Sequence, residues 1–113
     1  MATERQIQNA ILRTFATRRD VRLWRQNTGA APYRDAKGQK RLVRFGVPGQ
    51  ADLSGILPGG VRLEIEVKGP KGRQSHEQQA FQRMIEKYGG VYVLARSVQD
   101  VQDAIGGYLH EDG

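Results

Sequence analysis

The chain has 113 residues, a length typical of one domain with a modest hydrophobic core. It has no cysteine and only two histidines, far apart in sequence, so disulfides, thiolate zinc sites, cysteine nucleophiles and a histidine metal pair are excluded. The formal net charge of +6 is unevenly distributed, because residues 1–48 carry a net charge of +8 and residues 49–113 a net charge of −2.

Three helices are predicted, each beginning at a Ser or Thr with helix-capping character. The first begins at Thr3 and is expected to run to about residue 17, the second spans about 75–88, and the third begins at Ser97. The side chains expected on their buried faces are Ile7, Ile11 and Phe15 in the first, Phe81, Met84 and Ile85 in the second, and Val101, Ile105 and Leu109 in the third.

Strands are predicted where alternating or continuous apolar runs occur between turn residues. Residues 27–32 are expected to interrupt the first strand, and 33–44 to form a basic hairpin or flexible loop. The order α-β-β-β-β-α-β-α predicts an α/β protein with a single small mixed β-sheet flanked by helices, in one domain spanning residues 1–113. The predicted strands are 21–26, 42–45, 51–57, 61–68 and 91–95.

The strand at 61–68 carries the residues with the clearest chemical potential. Its alternation buries four apolar side chains and puts Glu64, Glu66 and Lys68 on the opposite face, about 6–7 Å apart in succession. Asp52 lies on the preceding strand, and the turn at 58–60 pairs the two strands so that Asp52 approaches Glu66. Two adjacent carboxylates repel each other unless a cation lies between them, and oxygen ligands favour Mg²⁺ or Mn²⁺.

A divalent ion at that point would polarise a phosphoryl oxygen and lower the pKa of a bound water. Lys68 would orient that water or offset charge on the phosphate. The alternative is an ordinary solvent-facing strand, because Glu-x-Glu-x-Lys also occurs where cross-strand charge pairs give modest support. Glu64 would replace Glu66 as the ligand only in a slipped register.

Several stretches together resemble the VRR-NUC (virus-type replication-repair nuclease) family of the PD-(D/E)xK nuclease superfamily. Residues 49–52 (Gly-Gln-Ala-Asp) resemble its first motif, without the usual proline, which carries no chemistry. Residues 65–68 (Ile-Glu-Val-Lys) and the Ser-x-x-Gln at 75–78 match closely, and 25–29 (Arg-Gln-Asn-Thr-Gly) resemble a further segment. The resemblance extends from the first helix to residue 93 and implies a restriction-endonuclease-like core.

The resemblance also implies roles for particular residues. Asp52 and Glu66 would be metal ligands together with the Val67 carbonyl, and Lys68 would be the catalytic lysine. Gln78 would approach the water or the scissile phosphate, and Glu4 would add an acid to the metal site. Both have structural alternatives, because Gln78 completes a capping box and Glu4 lies in a first helical turn, where an acid favours the helix dipole.

Basic and polar residues near these motifs are the candidates for nucleic-acid contacts, since Lys and Arg neutralise phosphates. A solvated basic surface is the alternative for each of them. The candidates are Arg25, Asn27, Arg34, Lys37, Lys40, Arg41, Arg44, Lys71 and Arg73.

The leading hypothesis is therefore a Mg²⁺- or Mn²⁺-dependent deoxyribonuclease. The resemblance implies a structure-selective enzyme that acts as a homodimer on Holliday junctions or related replication-repair intermediates. The alternatives are a non-catalytic basic nucleic-acid-binding protein and a general or restriction-type endonuclease without junction preference. No apolar run has membrane-spanning length and no signal peptide is recognisable, so a cytoplasmic protein that is not secreted is expected.

Overall fold

The computed structural model describes residues 2–26 and 29–110, leaving out the side chains at 29, 30, 44 and 45. Three helices and six strands occur in this part of the chain, and each predicted helix and strand is present with bounds shifted by about two residues or fewer, except that the third helix ends at Ile105, before the predicted Leu109. The helices are α1 (Glu4–Phe15), α2 (His76–Lys87) and α3 (Val98–Ile105). The strands are β1 (Arg22–Arg25), β2 (Gly29–Arg34), β3 (Lys40–Phe45), β4 (Leu53–Leu57), β5 (Val61–Val67) and β6 (Val91–Ala95).

Four of the strands form a mixed sheet in the order β1-β4-β5-β6. The β1–β4 and β4–β5 pairs are antiparallel, and the β5–β6 pair is parallel because α2 provides the crossover. The expectation of an α/β protein with a mixed sheet is confirmed.

The first strand ends before residue 27 and a hairpin is present at 33–44, as predicted, but the prediction of a single sheet is wrong, and so is the prediction that residues 29–32 lie outside a strand; residues 27 and 28 lie outside the described part of the chain. Instead β2 pairs with β3 in a second, two-stranded antiparallel sheet. Pro32 lies within β2, opposite Leu42, and is tolerated there because each strand of a two-stranded ribbon has an unpaired edge that needs no donor. The β2–β3 hairpin is thus an insertion between β1 and β4, and the described chain is elongated, with extents of 58 × 34 × 27 Å.

The main hydrophobic core lies between α1, α3 and one face of the four-stranded sheet. The three predicted α1 side chains are buried there, and so are Val101 and Ile105 of α3. Leu109 also packs against this core, but it lies beyond the end of α3, which is followed by a 3₁₀ turn at Gly106–Tyr108. Two consecutive glycines favour that helix end.

The opposite face of the sheet is covered by α2. Phe81 and Ile85 are buried there together with Ala51 and Tyr92, and Phe81 meets the Tyr92 ring edge-on at 6.5 Å. Met84 was expected to be buried with them, and this prediction is wrong, since its side chain is 39% exposed. Within residues 2–26 and 29–110, no helix is both long and apolar enough to span a bilayer.

A glycine fixes the loop that leads into β4 against the beginning of α2. Gly49 has a φ of +76°, and a Cβ at this position would lie 2.2 Å from the backbone oxygen of Glu77. A side chain is therefore excluded both by the backbone conformation and by the close approach. The contact brings the residues before Asp52 and the first turn of α2 together.

We predict that Gly49→Ala destabilises the protein by more than about 2 kcal/mol, because left-handed strain adds to a backbone clash. Gly59→Ala is the matched control, since Gly59 also has a positive φ of 83° but a Cβ added there would meet no atom within 4 Å. It should cost roughly 1 kcal/mol. Urea unfolding of both variants measures the difference, and equal losses would contradict a close approach at Gly49.

Candidate active site

Asp52 is fixed by both of its neighbouring strands. Leu53 pairs with Ile65, so Asp52, one residue earlier, lies across from Glu66 and not from Glu64. Its carbonyl accepts from the Gln26 N–H at 2.9 Å, and its side-chain Oδ2 accepts from the Val67 N–H at 2.8 Å. The unslipped register expected from the sequence is confirmed, and the carboxylate of Asp52 is held beside the backbone that joins Glu66 to Lys68.

Glu66 is not on a solvent-facing strand surface, as the alternative interpretation of the sequence required. Its side chain is only 5% exposed. One oxygen, Oε2, accepts from Gln78 Nε2 at 3.2 Å and lies 3.4 Å from Lys68 Nζ. The other oxygen, Oε1, is buried and has no hydrogen-bond partner among the described residues. An unsatisfied buried carboxylate oxygen is costly, and Ser54 Oγ and Glu64 Oε1 are in the same condition in this part of the chain.

Gln78 contacts both the helix cap and the acidic pair. Its Oε1 accepts from the Ser75 N–H at 2.9 Å, while its own N–H donates to Ser75 Oγ at 3.1 Å, which completes the predicted capping box. With the amide oxygen committed to the cap, the amide nitrogen is directed towards Glu66. The structural and functional interpretations of Gln78 are therefore compatible, and the cap orients the group that reaches the site.

The pKa of Glu66 is set by its burial and by the charges of Asp52 and Lys68. Burial raises the pKa of the carboxyl, the nearby charge of Asp52 raises it further, and Lys68 opposes both, leaving a pKa of about 7. Two carboxylates facing each other in a site that excludes water are stabilised by a proton or by a cation. Two neighbouring carboxylates fit the chemistry of a hard divalent ion, since Mg²⁺ is commonly held by one or two carboxylates and completes its shell with water or phosphate.

Glu4 is not brought into this pair. Its Oε2 accepts from the Gly69 N–H at 3.2 Å, so it holds the loop that follows Lys68. In the part of the chain that the structure describes, no three His, Cys, Asp or Glu side chains are grouped so that they could hold one metal ion. Of the three predicted acidic ligands, the structure thus brings together Asp52 and Glu66 and gives Glu4 a contact with the loop after β5.

The loop after β5 packs against the catalytic candidate Lys68. A Cβ on Gly72 would lie 3.2 Å from both Cβ and Cδ of Lys68, so the glycine backbone touches the lysine stem. Arg96, at the end of β6, donates to the carbonyl oxygens of Gly69 and Gly72. Sequence reasoning missed Arg96, because nothing in a solitary arginine after an apolar strand indicates which loop it contacts.

A further residue near the site, Tyr92, was missed for a similar reason. It was counted only as part of an apolar strand, yet its hydroxyl accepts from Gln74 Nε2 at 3.2 Å. Burial raises the pKa of Tyr92 to about 12, and the charges of Glu66, Asp52 and Glu64 raise it as well. Tyr92 lies opposite Glu64 in the β5–β6 pair. This pairing could not be read from the sequence, so the sequence carried no signal for Tyr92.

Glu64 is fully buried, whereas the alternative interpretation of the sequence placed it on a solvent-facing strand. Its Oε2 accepts from Arg62 Nε at 2.9 Å, and the Arg62 side chain is 47% exposed. Glu64 lies opposite Ser54 in the β4–β5 pair. The alternative interpretation is therefore wrong for Glu64, because α2 covers this face of the sheet and β6 pairs with β5 beside it.

The candidate nucleic-acid contacts separate into distinct groups. Arg25 donates to Asn9 and Gln8 of α1, a structural contact. On the hairpin, Arg34 donates to the Gly38 carbonyl and Arg41 pairs with Asp35 at 3.0 Å. Lys37 and Lys40 are exposed near the hairpin turn, Lys71 and Arg73 are exposed beside Lys68, and Asn27 and the side chain of Arg44 lie outside the described residues.

Comparison of the chain with protein-family models, with curated proteins and with solved structures found no match. The resemblance to the VRR-NUC family therefore rests on the short sequence motifs described above.

We predict that the metal-free protein loses stability as pH rises from about 4.5 to 7. The folded-state pKa of Glu66 is raised from 4.5 to about 7, so the folded protein binds more protons than the unfolded chain in this window. The stabilisation is complete below pH 4.5 and is lost as pH rises through 7. In Glu66→Gln this loss should be smaller by on the order of 2 kcal/mol.

Urea unfolding between pH 5 and pH 8 in EDTA measures this difference. Glu77→Gln, a change of an exposed carboxylate in the first turn of α2, is the control and should follow the wild type. Parallel pH profiles for wild type and Glu66→Gln would contradict the raised pKa.

Proposed function

We propose that the protein is a metal-dependent endonuclease that hydrolyses phosphodiester bonds in DNA, with a site of the PD-(D/E)xK type. The observation that carries this proposal is the meeting of Asp52, Glu66, Lys68 and Gln78, with one buried oxygen of Glu66 left without a partner among the described residues. Ser54 Oγ and Glu64 Oε1 are also buried without a partner among the described residues, so what distinguishes Glu66 is that its open oxygen occurs in a group that also contains a second carboxylate and a lysine.

The residues that would hold the metal ion are Asp52 and Glu66, with the Val67 carbonyl as a third oxygen donor. A Mg²⁺ or Mn²⁺ ion there would supply Lewis acidity towards a phosphoryl oxygen and would lower the pKa of a water molecule. The Val67 N–H fixes the Asp52 carboxylate, and the capped Gln78 amide fixes the Glu66 carboxylate. Both acids are thus preorganised by donors that do not themselves compete for the cation.

Lys68 supplies the positive group of the site. Its side chain is 16% exposed, so the ammonium group remains accessible at the rim while pairing with the buried Glu66. There it can orient the attacking water or neutralise charge that develops on the phosphate. The contact with Gly72 restricts the lysine stem, which keeps the ammonium group close to the acids.

The finer features of the proposal rest on the family resemblance. These are structure selectivity, action on Holliday junctions or related repair intermediates, and a homodimer that would provide two active sites for paired cuts. A general endonuclease would share the same four residues, so substrate geometry has to be tested directly. A non-catalytic DNA-binding protein would need only the basic residues and leaves the buried acidic pair without a purpose.

We predict that Mn²⁺ or Mg²⁺ raises the melting temperature at pH 8, because a cation bound only by the folded state stabilises it. Asp52→Asn and Glu66→Gln should each remove most of this shift, while Asp103→Asn, a surface change on α3, should retain it. Differential scanning fluorimetry against metal concentration gives the measurement. An unchanged shift in both site variants would place the metal elsewhere.

We predict that the wild type nicks DNA in Mn²⁺ and that Lys68→Ala lowers the rate by at least about 100-fold, because it removes a group that stabilises the transition state. Lys87→Ala is the control, since Lys87 lies at the far end of α2 over the Tyr88 ring. The substrates are a four-way junction, a flap and a plain duplex of the same sequence.

The outcomes separate the hypotheses. Nicking of the junction that requires Lys68 supports the structure-selective enzyme, whereas equal nicking of all three substrates supports a general endonuclease. Binding of DNA by wild type and Lys68→Ala with no nicking of any substrate would show that the catalytic proposal is wrong.

A further inference from the structure

An open cleft of about 890 Å³ lies beside Lys68, outside the acidic pair. The loop after β5 forms one wall, the first turns of α2 contribute Gln79, and the end of β6 contributes Arg96. This volume is within the range of about 300–1,000 Å³ that is usual for small-ligand sites. The cleft is therefore large enough for a nucleotide but too small for a DNA duplex.

The charge of the cleft is one-sided. Lys71, Arg73 and Arg96 line it, and no acidic residue does. Among residues 2–26 and 29–110, no carboxylate lies within ion-pair distance of any of these three cations. Three like charges around one concavity produce a positive potential that an anion would relieve.

The cleft shares a wall with the candidate active site. Gly72 lines the cleft and at the same time contacts the stem of Lys68. Gln79 lines it too, directly after Gln78, which bonds to Glu66. A phosphodiester chain lying over Lys68 would thus reach the cleft with an adjacent nucleotide.

The cleft wall is also held in place before any ligand binds. The Gly72 N–H donates to the Gly69 carbonyl at 3.0 Å, which closes a turn. Arg96 donates to both of those residues' carbonyl oxygens, and Glu4 accepts from the Gly69 N–H. A preorganised loop loses little conformational entropy when a ligand binds.

We propose that this cleft binds the phosphate of the nucleotide that neighbours the cleaved bond, with Lys71 and Arg73 as the contacting cations and Arg96 as the residue that holds the loop. This proposal rests on the proposed function, because it assumes a DNA strand whose scissile phosphate lies at Lys68 and whose neighbouring nucleotide enters the cleft. It assigns the cleft to ground-state binding and leaves the chemical step to the acidic pair and Lys68.

The first test measures DNA binding in EDTA, where no metal-dependent cleavage occurs. Lys71→Ala and Arg73→Ala should each weaken binding by about tenfold, as expected for a lost charge-assisted contact. Each should also reduce the slope of log K against log salt by roughly 0.9. Arg13→Ala is the matched control, because this exposed arginine lies in the last turn of α1, on the opposite side of the sheet.

The second test locates the phosphate. Oligonucleotides with one neutral methylphosphonate linkage are compared in binding to wild type, Lys71→Ala and Arg73→Ala. Placing the neutral linkage next to the position that is cut in Mn²⁺ should weaken wild-type binding about tenfold. On that oligonucleotide, Lys71→Ala and Arg73→Ala should cause no further loss of binding, because the phosphate charge that they contact is already absent. If Lys71→Ala and Arg73→Ala weaken binding equally for every position of the neutral linkage, the proposal is wrong.

Cleavage kinetics complete the assignment and separate it from the proposed function. Lys71→Ala and Arg73→Ala should raise KM with kcat unchanged, whereas Lys68→Ala lowers kcat. A fall in kcat without a change in KM would also overturn the proposed role of the cleft. If neither the wild type nor any variant cleaves DNA, the nuclease proposal fails. The phosphate site still stands in that case if one position of the neutral linkage abolishes the effect of Lys71→Ala and Arg73→Ala on binding.

Discussion

The carboxylate of Glu66 is almost completely removed from water, and this constraint governs the arrangement of the whole candidate site. A buried negative charge is tolerated only when nearby donors or cations compensate it. The chain supplies the Gln78 amide and the Lys68 ammonium group to one carboxylate oxygen and leaves the other without a partner in the described part of the protein. Asp52 adds a second negative group close by, so the two carboxylates and the Lys68 ammonium group together have a net charge of −1 when all are ionised, which a proton on Glu66 or the proposed divalent ion would offset.

Each compensating group is supplied by a different element, so the site depends on the assembled fold. The Asp52 side chain is held by β5 and its backbone by the residue that follows β1, while Gln78 is oriented by the cap of α2. Gly49 allows the loop before Asp52 to touch the first turn of that helix. Arg96 and Gly72 hold the loop beside Lys68 from the end of β6. A change in any of these contacts would therefore alter the charge balance at Glu66 as well as local stability.

Local patterns were sufficient to predict most of the elements and the pairing of Asp52 with Glu66, since caps, alternation and the Pro-Gly-Gly turn act over a few residues. Burial and tertiary contacts were not predictable in the same way. The sequence left open whether Glu64 and Glu66 face solvent, because strand alternation does not report that α2 covers that face of the sheet. Strand β2 was missed because Gly, Ala and Pro have low strand propensity, and it forms through pairing with β3. Arg96 and Tyr92 reach the site only because β6 lies next to β5, a pairing that requires the crossover through α2.

The position of the hairpin has a consequence for how this architecture can diversify. It is inserted between β1 and β4, whose own pairing already brings the two ends of the insertion together, up to the bond between Gln26 and Asp52. The entropy of closing that loop grows only slowly with its length, and the sheet provides the closure whatever the insertion contains. The hairpin could therefore become longer or shorter, or change its charge, without rebuilding the acidic pair. The hairpin and the acidic pair are in this way structurally separable parts of one small chain.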